Sequence, residues 1–241
     1  MVAVKTHSGT LMIPVEVRRS RGAKYLRVWV GSAQEVVLSM PWRTSYKEGY
    51  AFLNQNGDWI AEQLEKAPSP CGLLEYLRKG RRVSIGGESW SVRFRFQAGR
   101  TRIIPLPEER TIEVETNPHA ETELPLYRAL RDLAREVLTA RTRFLAQEVQ
   151  VRPVRVVVRN QKSRWGSCSG KREISLNWRL LFLKPALQDY VIYHELAHLK
   201  EMNHSERFWK LLARYDPQAR RHDRMLTRAG DRLIVLGRGL D

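Results

Sequence analysis

Three features of the sequence predict an α+β fold. Short runs of strand-forming residues crowd the first half, and a long amphipathic helix opens the second. After it comes a mostly apolar helix that carries His194-Glu195-Leu196-Ala197-His198. The expected division is a β-rich region with one helix over residues 1–118, then a compact metal-dependent unit over 119–241. That unit should contain the long helix, a strand hairpin, the His-Glu-x-x-His helix and a second helix.

Residues 11–17, 25–30 and 36–40 are strand-like runs separated by Gly and Ser. Residues 45–66 read as one helix, because Tyr46, Tyr50, Leu53 and Ile60 recur at helical intervals. Two prolines make 67–72 a turn. Trp90, Val92, Phe94 and Phe96 alternate with Ser91, Arg93 and Arg95, the period of a half-buried strand with a basic outer face. Residues 111–115 supply another strand, and the whole suggests an antiparallel sheet module.

Pro105, Pro107 and Pro118 punctuate the passage to the second half. Over 124–149, Leu126, Leu130, Leu133, Val137 and Phe144 form one helical stripe. Residues 154–159 and 173–178 read as the strands of the hairpin, with a turn at Gly170. Residues 218–241 give mixed signals and predict no defined element.

The chemistry concentrates in one helix. His194 and His198 lie four residues apart, so both imidazoles project from one face and can share a metal, with Glu195 beside it to handle the proton of a bound water. Pro185 suits the first helical position, and Tyr190-Val-Ile-Tyr193 leads into an otherwise apolar stretch. The bland alternative is a pair of satisfied core histidines. Yet two histidines and a carboxylate buried together need partners, and one divalent ion serves all three.

A third ligand must come from beyond the helix. Glu201 lies seven residues past His194, about 10 Å along the axis, too far for comfortable sharing. His204 reaches back if the helix stops near Met202-Asn203, since Asn tolerates the left-handed cap. Ser205 then caps a following helix with Glu206 in its first turn and Phe208, Leu211, Leu212 and Tyr215 along one side. His204 is therefore preferred to Glu201 or Glu206. Three protein ligands leave a fourth position for water, as catalytic zinc requires.

Composition sets bounds. A chain of 241 residues with 42% hydrophobic content and seven Trp has ample core. No apolar run is long enough to span a membrane and no signal-peptide stretch opens the chain, so a cytoplasmic protein with no membrane partner is expected. Cys71 and Cys168 form no CxxC pair and read as free thiols. The net charge of +16 attracts polyanions, but the cations fall into separate clusters and specify no ligand by themselves. Zinc peptidases commonly hold an extended substrate against a strand beside the metal helix. Here Arg164, Trp165, Gly166 and Ser167 are candidates for that strand, with Gly166 permitting close backbone approach.

Ser163-Arg-Trp-Gly-Ser-Cys168, Ile174-Ser-Leu-Asn177, Tyr190-Val-Ile-Tyr-His-Glu-Leu-Ala-His198, Asn203-His-Ser205 and Phe208-Trp209 together resemble the YgjP-like metallopeptidase family, related to the WLM and SprT-like peptidases. A Trp59-Ile60 pair extends the likeness, more loosely, into the N-terminal part. The resemblance implies a zincin fold, one Zn2+ ion, ligands His194, His198 and His204, and a catalytic Glu195. Metzincins space their third histidine alike but place Gly midway, where this chain has Glu201; a compact zincin of the WLM type fits better.

Three functions stay open at this level. The first is a zinc peptidase acting on protein or peptide, with Tyr193, Arg164 and His222 as candidates to steady the oxyanion. The second is a metal-dependent nucleotide phosphohydrolase, working without a P-loop. The third is a DNA-associated protease, or a nucleic-acid-binding module whose zinc is structural.

Overall fold

The structure is a computed structural model that describes residues 1–31, 34–67, 72–120, 122–237 and 240. Helices and several sheets are mixed, as an α+β class requires. Two compact units emerge, Met1–Pro70 and Cys71–Asp241. The boundary thus falls well before residue 118. Its cause is burial: Ile112 and Val114 share one core with Leu126, Tyr127 and Leu130 of the long helix, so those strands belong to the metal-bearing unit.

In the first unit β1 (Val2–Thr6) and β2 (Gly9–Ile13) form a hairpin. Pro14 interrupts the single strand expected over 11–17, and β3 (Val15–Ser20) starts after it. β4 (Arg27–Val30) and β5 (Val36–Pro41) complete a sheet of order β3-β5-β4, in which β3 runs parallel to β5. The module is therefore not purely antiparallel.

The single helix expected over 45–66 is two, α1 (Tyr46–Gln55) and α2 (Gly57–Lys66). A capping box between Ser45 and Glu48 starts α1. The break at Asn56 lets Gly57 pass against β1, where any Cβ would collide with the Lys5 carbonyl. Leu53 and Ile60 still reach one core with Val4, Leu38 and Met40.

The second unit holds α3 (Leu73–Arg78), then β6 (Val83–Ile85), β7 (Glu88–Phe96), β8 (Arg102–Leu106) and β9 (Thr111–Thr116) in the order β6-β7-β9-β8. The long helix α4 (Leu124–Glu148) buries Leu126, Leu130, Leu133 and Val137 as expected. Toward its end the buried side rotates to Leu138, Thr142 and Leu145, which leaves Phe144 half exposed beneath the Arg141 guanidinium.

β10 (Arg155–Arg159), β11 (Gly166–Cys168) and β12 (Glu173–Asn177) form a sheet of order β10-β12-β11. The expected hairpin partners, β10 and β12, are instead parallel neighbours. The hairpin joins β11 to β12, and its left-handed residue is Arg172, not Gly170. β11 consequently lies at the sheet edge.

Side chains of residues 177–179 fix the loop that leads into β11. The Asn177 carboxamide donates to the carbonyls of Gln161 and Arg164 at 2.9 and 3.0 Å. Arg179, only 1% exposed, donates to Asn160 Oδ1 and to the Leu236 carbonyl at 2.6 and 2.7 Å. Leaving such buried acceptors unpaired costs about 1–3 kcal/mol each, so the loop is held firmly.

Three helices close the unit: α5 (Pro185–Ala197), α6 (Glu206–Tyr215) and α7 (Ala219–Leu233), the last in a stretch whose pattern predicted nothing. Cys168 is a free, half-buried thiol; Cys71 lies outside the described residues. Among the described residues no helix is long and apolar enough to cross a membrane.

Candidate metal centre

α5 begins at Pro185 and buries Leu187, Tyr190, Val191, Ile192 and Leu196. Two of its other polar side chains bond nearby. Asp189 accepts two bonds from Arg141 at 2.8 and 2.6 Å, and Gln188 donates to the carbonyls of Ser84 and Leu180. His194, Glu195 and His198 remain, all turned to one place.

The helix ends earlier than expected, at Ala197 with His198 as its cap, rather than near Met202-Asn203. His198 Nδ1 lies 3.0 Å from the Glu201 carbonyl, an acceptor only, so Nδ1 must be the donor there. That bond draws the chain back and leaves the His198 Nε2 lone pair facing inward, the usual support of a metal-binding imidazole. Asn203 is not left-handed. Its side chain accepts from the Ser205 amide at 3.3 Å, a turn that bends the chain into α6. Ser205 does occupy the cap position, although its hydroxyl makes no capping bond.

This bend brings His204 to the other two. His194 Nε2 lies 3.2 Å from His198 Nε2 and 3.0 Å from His204 Nε2, with ring centres 4.8 to 5.0 Å apart. Phe208 of α6 packs against all three rings at 4.6 to 4.9 Å and stacks on His198. The ring nitrogens could together hold one metal ion. A single proton on His194 Nε2 can serve only one neighbour, whereas a cation serves all three lone pairs. Burial, then the neighbouring imidazoles, pushes His194 down to about 3, and burial lowers His198 as well. Neutral imidazoles are the form a metal takes.

Of the rival third ligands, Glu201 contributes its main-chain carbonyl to His198, and Glu206 pairs with Lys210 at 2.7 Å. Neither carboxylate joins the cluster.

Glu195 is 5% exposed, and its Oε2 has no hydrogen-bond partner. Burial pushes its carboxyl up to about 8, against the pull of Arg164. Gly166 on β11 explains how the carboxylate fits: a Cβ there would lie 2.5 Å from Glu195 Oε1 and 2.7 Å from its Cγ. The close approach expected of that glycine is real, and Glu195 is what approaches.

The other sequence candidates divide. Arg164 is exposed and acts electrostatically on Glu195, and the Trp165 carbonyl accepts from the Asn177 amide at 2.8 Å. Tyr193 is turned to α4, where it donates to Glu148 at 3.1 Å, and His222 pairs with Asp216 at 2.6 Å. Tyr190 went unremarked as a site residue. Its ring lies 6.0 Å from that of His194 while its hydroxyl donates to Asp223 at 2.9 Å. Its position four residues before His194, on the same helix face, was the available signal.

Residues 24–229 match the family described as YgjP-like, metallopeptidase domain. The chain belongs to this family. The match runs from β4 to α7 and includes every residue of the histidine cluster. Neither a curated protein nor a solved structure gives a significant match. Membership of the YgjP-like family makes the chain metallopeptidase-like, and its three histidines suit a metal ion.

The metal-free protein should show an unusual pH dependence. Folded Glu195 keeps its proton up to about 8, against an ordinary 4.5, so stability falls as pH rises through that window. Folded His194 stays neutral down to about 3, against 6.5, so stability also falls as pH drops below 6.5. The Glu195 and His194 effects cancel between about 4.5 and 6.5, where the lowered His198 still makes stability fall as pH drops. Chemical denaturation in chelator should therefore find a maximum near pH 6.5 and a loss of about 1–2 kcal/mol by pH 8. Glu195→Gln should flatten the alkaline side; an unchanged slope in that variant contradicts the assignment.

Proposed function

We propose that the chain is a zinc-dependent peptidase in which His194, His198 and His204 hold the ion and Glu195 is the general base. The observation that carries this reading is the convergence of three ring nitrogens next to a buried, unpartnered Glu195 oxygen. Zinc, when bound, lowers the pKa of a coordinated water to roughly 7 and polarises the scissile carbonyl.

The chain's own residues do the rest. In the carboxylate form, which a cation beside it would favour, Glu195 Oε2, unpartnered among the described residues, could take the proton of the attacking water and pass it to the leaving amide nitrogen. Burial strengthens its hold on that proton. Arg164, exposed and near enough to act on Glu195, is the candidate best placed to meet negative charge building on the substrate, because Tyr193 and His222 are engaged elsewhere. Among the described residues β11 pairs only with β12, so its outer edge can align an extended peptide by main-chain bonds. That edge supports a peptide over a nucleotide as substrate.

Glu195→Gln should lower kcat by roughly 10²–10⁴-fold with one equivalent of metal retained, whereas His198→Ala should lose metal and activity together. Full turnover by Glu195→Gln, or nucleotide hydrolysis with no cleavage of unfolded proteins, overturns the proposal. Gly166→Ala should depress kcat by roughly tenfold or more through displacement of Glu195, while metal content measured by atomic absorption stays unchanged.

A further inference from the structure

The sheet β3-β5-β4 buries one face through Val36, Leu38 and Met40. On its other face Val37 is fully buried and Ser39 partly so, while β3 and β4 carry exposed polar and aromatic side chains. Register places Arg18, Ser39 and Arg27 in one row across the three strands, with Glu16, Val37 and Trp29 in the next. The Arg18 guanidinium lies 5.9 Å from the Trp29 ring centre and is held by Glu16, to which it donates at 2.7 and 2.9 Å.

A second series lies on the opposite side, since Arg19 pairs with Met40 where Arg18 pairs with Ser39, and it runs from the end of β3 onto α1. Arg19 sits between two rings, 5.1 Å from Trp42 and 5.3 Å from Tyr46, and is anchored by the carbonyls of Trp42 and Thr44. Arg21 also lies over Trp42, at 5.7 Å, and the Tyr46 ring is 6.3 Å from that of Tyr50. Cation and ring alternate from Arg21 through Trp42, Arg19 and Tyr46 to Tyr50.

These rings are open to solvent: Trp42 is 53% exposed, Tyr46 51% and Trp29 40%. The charge is one-sided too. Residues 15–47 hold five arginines and two lysines against two glutamates; of the unit's other carboxylates, Glu48 caps α1 by bonding Ser45, and Asp58, Glu62 and Glu65 lie on α2.

Exposed aromatic faces interleaved with guanidinium groups offer flat surfaces for unpaired bases and cations for the phosphates between them. An acidic peptide would use the charges and leave the rings idle; a duplex keeps its bases stacked on each other. We propose that this second series binds single-stranded nucleic acid, with bases on Trp42 and Tyr46 and phosphates on Arg19 and Arg21. The proposal is independent of the metal centre.

The test uses the full chain with metal in place and a fluorescein-labelled oligothymidylate of about 15 nucleotides, followed by anisotropy and tryptophan quenching. Binding should quench tryptophan and should weaken roughly sevenfold between about 50 and 200 mM salt, the loss expected for two phosphate contacts on a single strand. The double substitution Trp42→Ala/Tyr46→Ala should weaken binding roughly tenfold or more. Both side chains are exposed, so its melting temperature should stay close to the parent's. Trp42→Phe should retain most of the affinity, and Arg128→Ala on α4 should leave it unchanged. Absence of binding at low salt overturns the proposal. So does equal affinity for duplex DNA or polyglutamate combined with indifference to the loss of both rings.

Discussion

A helix that is apolar on nearly every face cannot carry two imidazoles and a carboxylate inward unless something there satisfies them. α5 makes that commitment: Leu187, Val191, Ile192 and Leu196 fix it in the core, which leaves Glu195 and His198 buried and His194 half-buried. Burial then strips the proton from His194 and holds one on Glu195. Each would be a destabilising group if it stood alone. Turned toward one point, and joined by His204 across the bend, they form a ready site for a cation.

Much of the surrounding structure serves that arrangement. The His198–Glu201 bond ends the helix and starts the bend; Asn203 continues it, and Phe208 gives all three rings a common floor. On the opposite side, Asn177 and Arg179 pin the loop before β11, and that strand can lie against Glu195 only because Gly166 lacks a side chain. The edge of one sheet and the end of one helix are thereby held together. The order of elements along the chain, hairpin then α5 then α6, makes this possible.

The parts governed by local pattern were legible in the sequence. His194 and His198 share a face because of helical geometry, and α4 follows from its stripe. His204 could be chosen over Glu201 on reach alone. What escaped depends on partners distant along the chain. Nothing local says that residues 45–66 must break so that Gly57 can pass β1, or that 155–159 pairs in parallel with 173–177. The unit boundary was misplaced because the burial of Ile112 and Val114 is decided by α4, not by their own strand. The series of rings and arginines on the N-terminal sheet is invisible for the same reason, since sheet and helix bring together residues far apart in sequence.

X-ray absorption on the full chain loaded with one equivalent of zinc tests the central claim most directly. Three nitrogen scatterers at about 2.0–2.1 Å with imidazole outer-shell features, completed by one oxygen, are the predicted result. A sulfur scatterer near 2.3 Å, which would bring Cys168 into the coordination sphere, or fewer than three imidazoles, would contradict it.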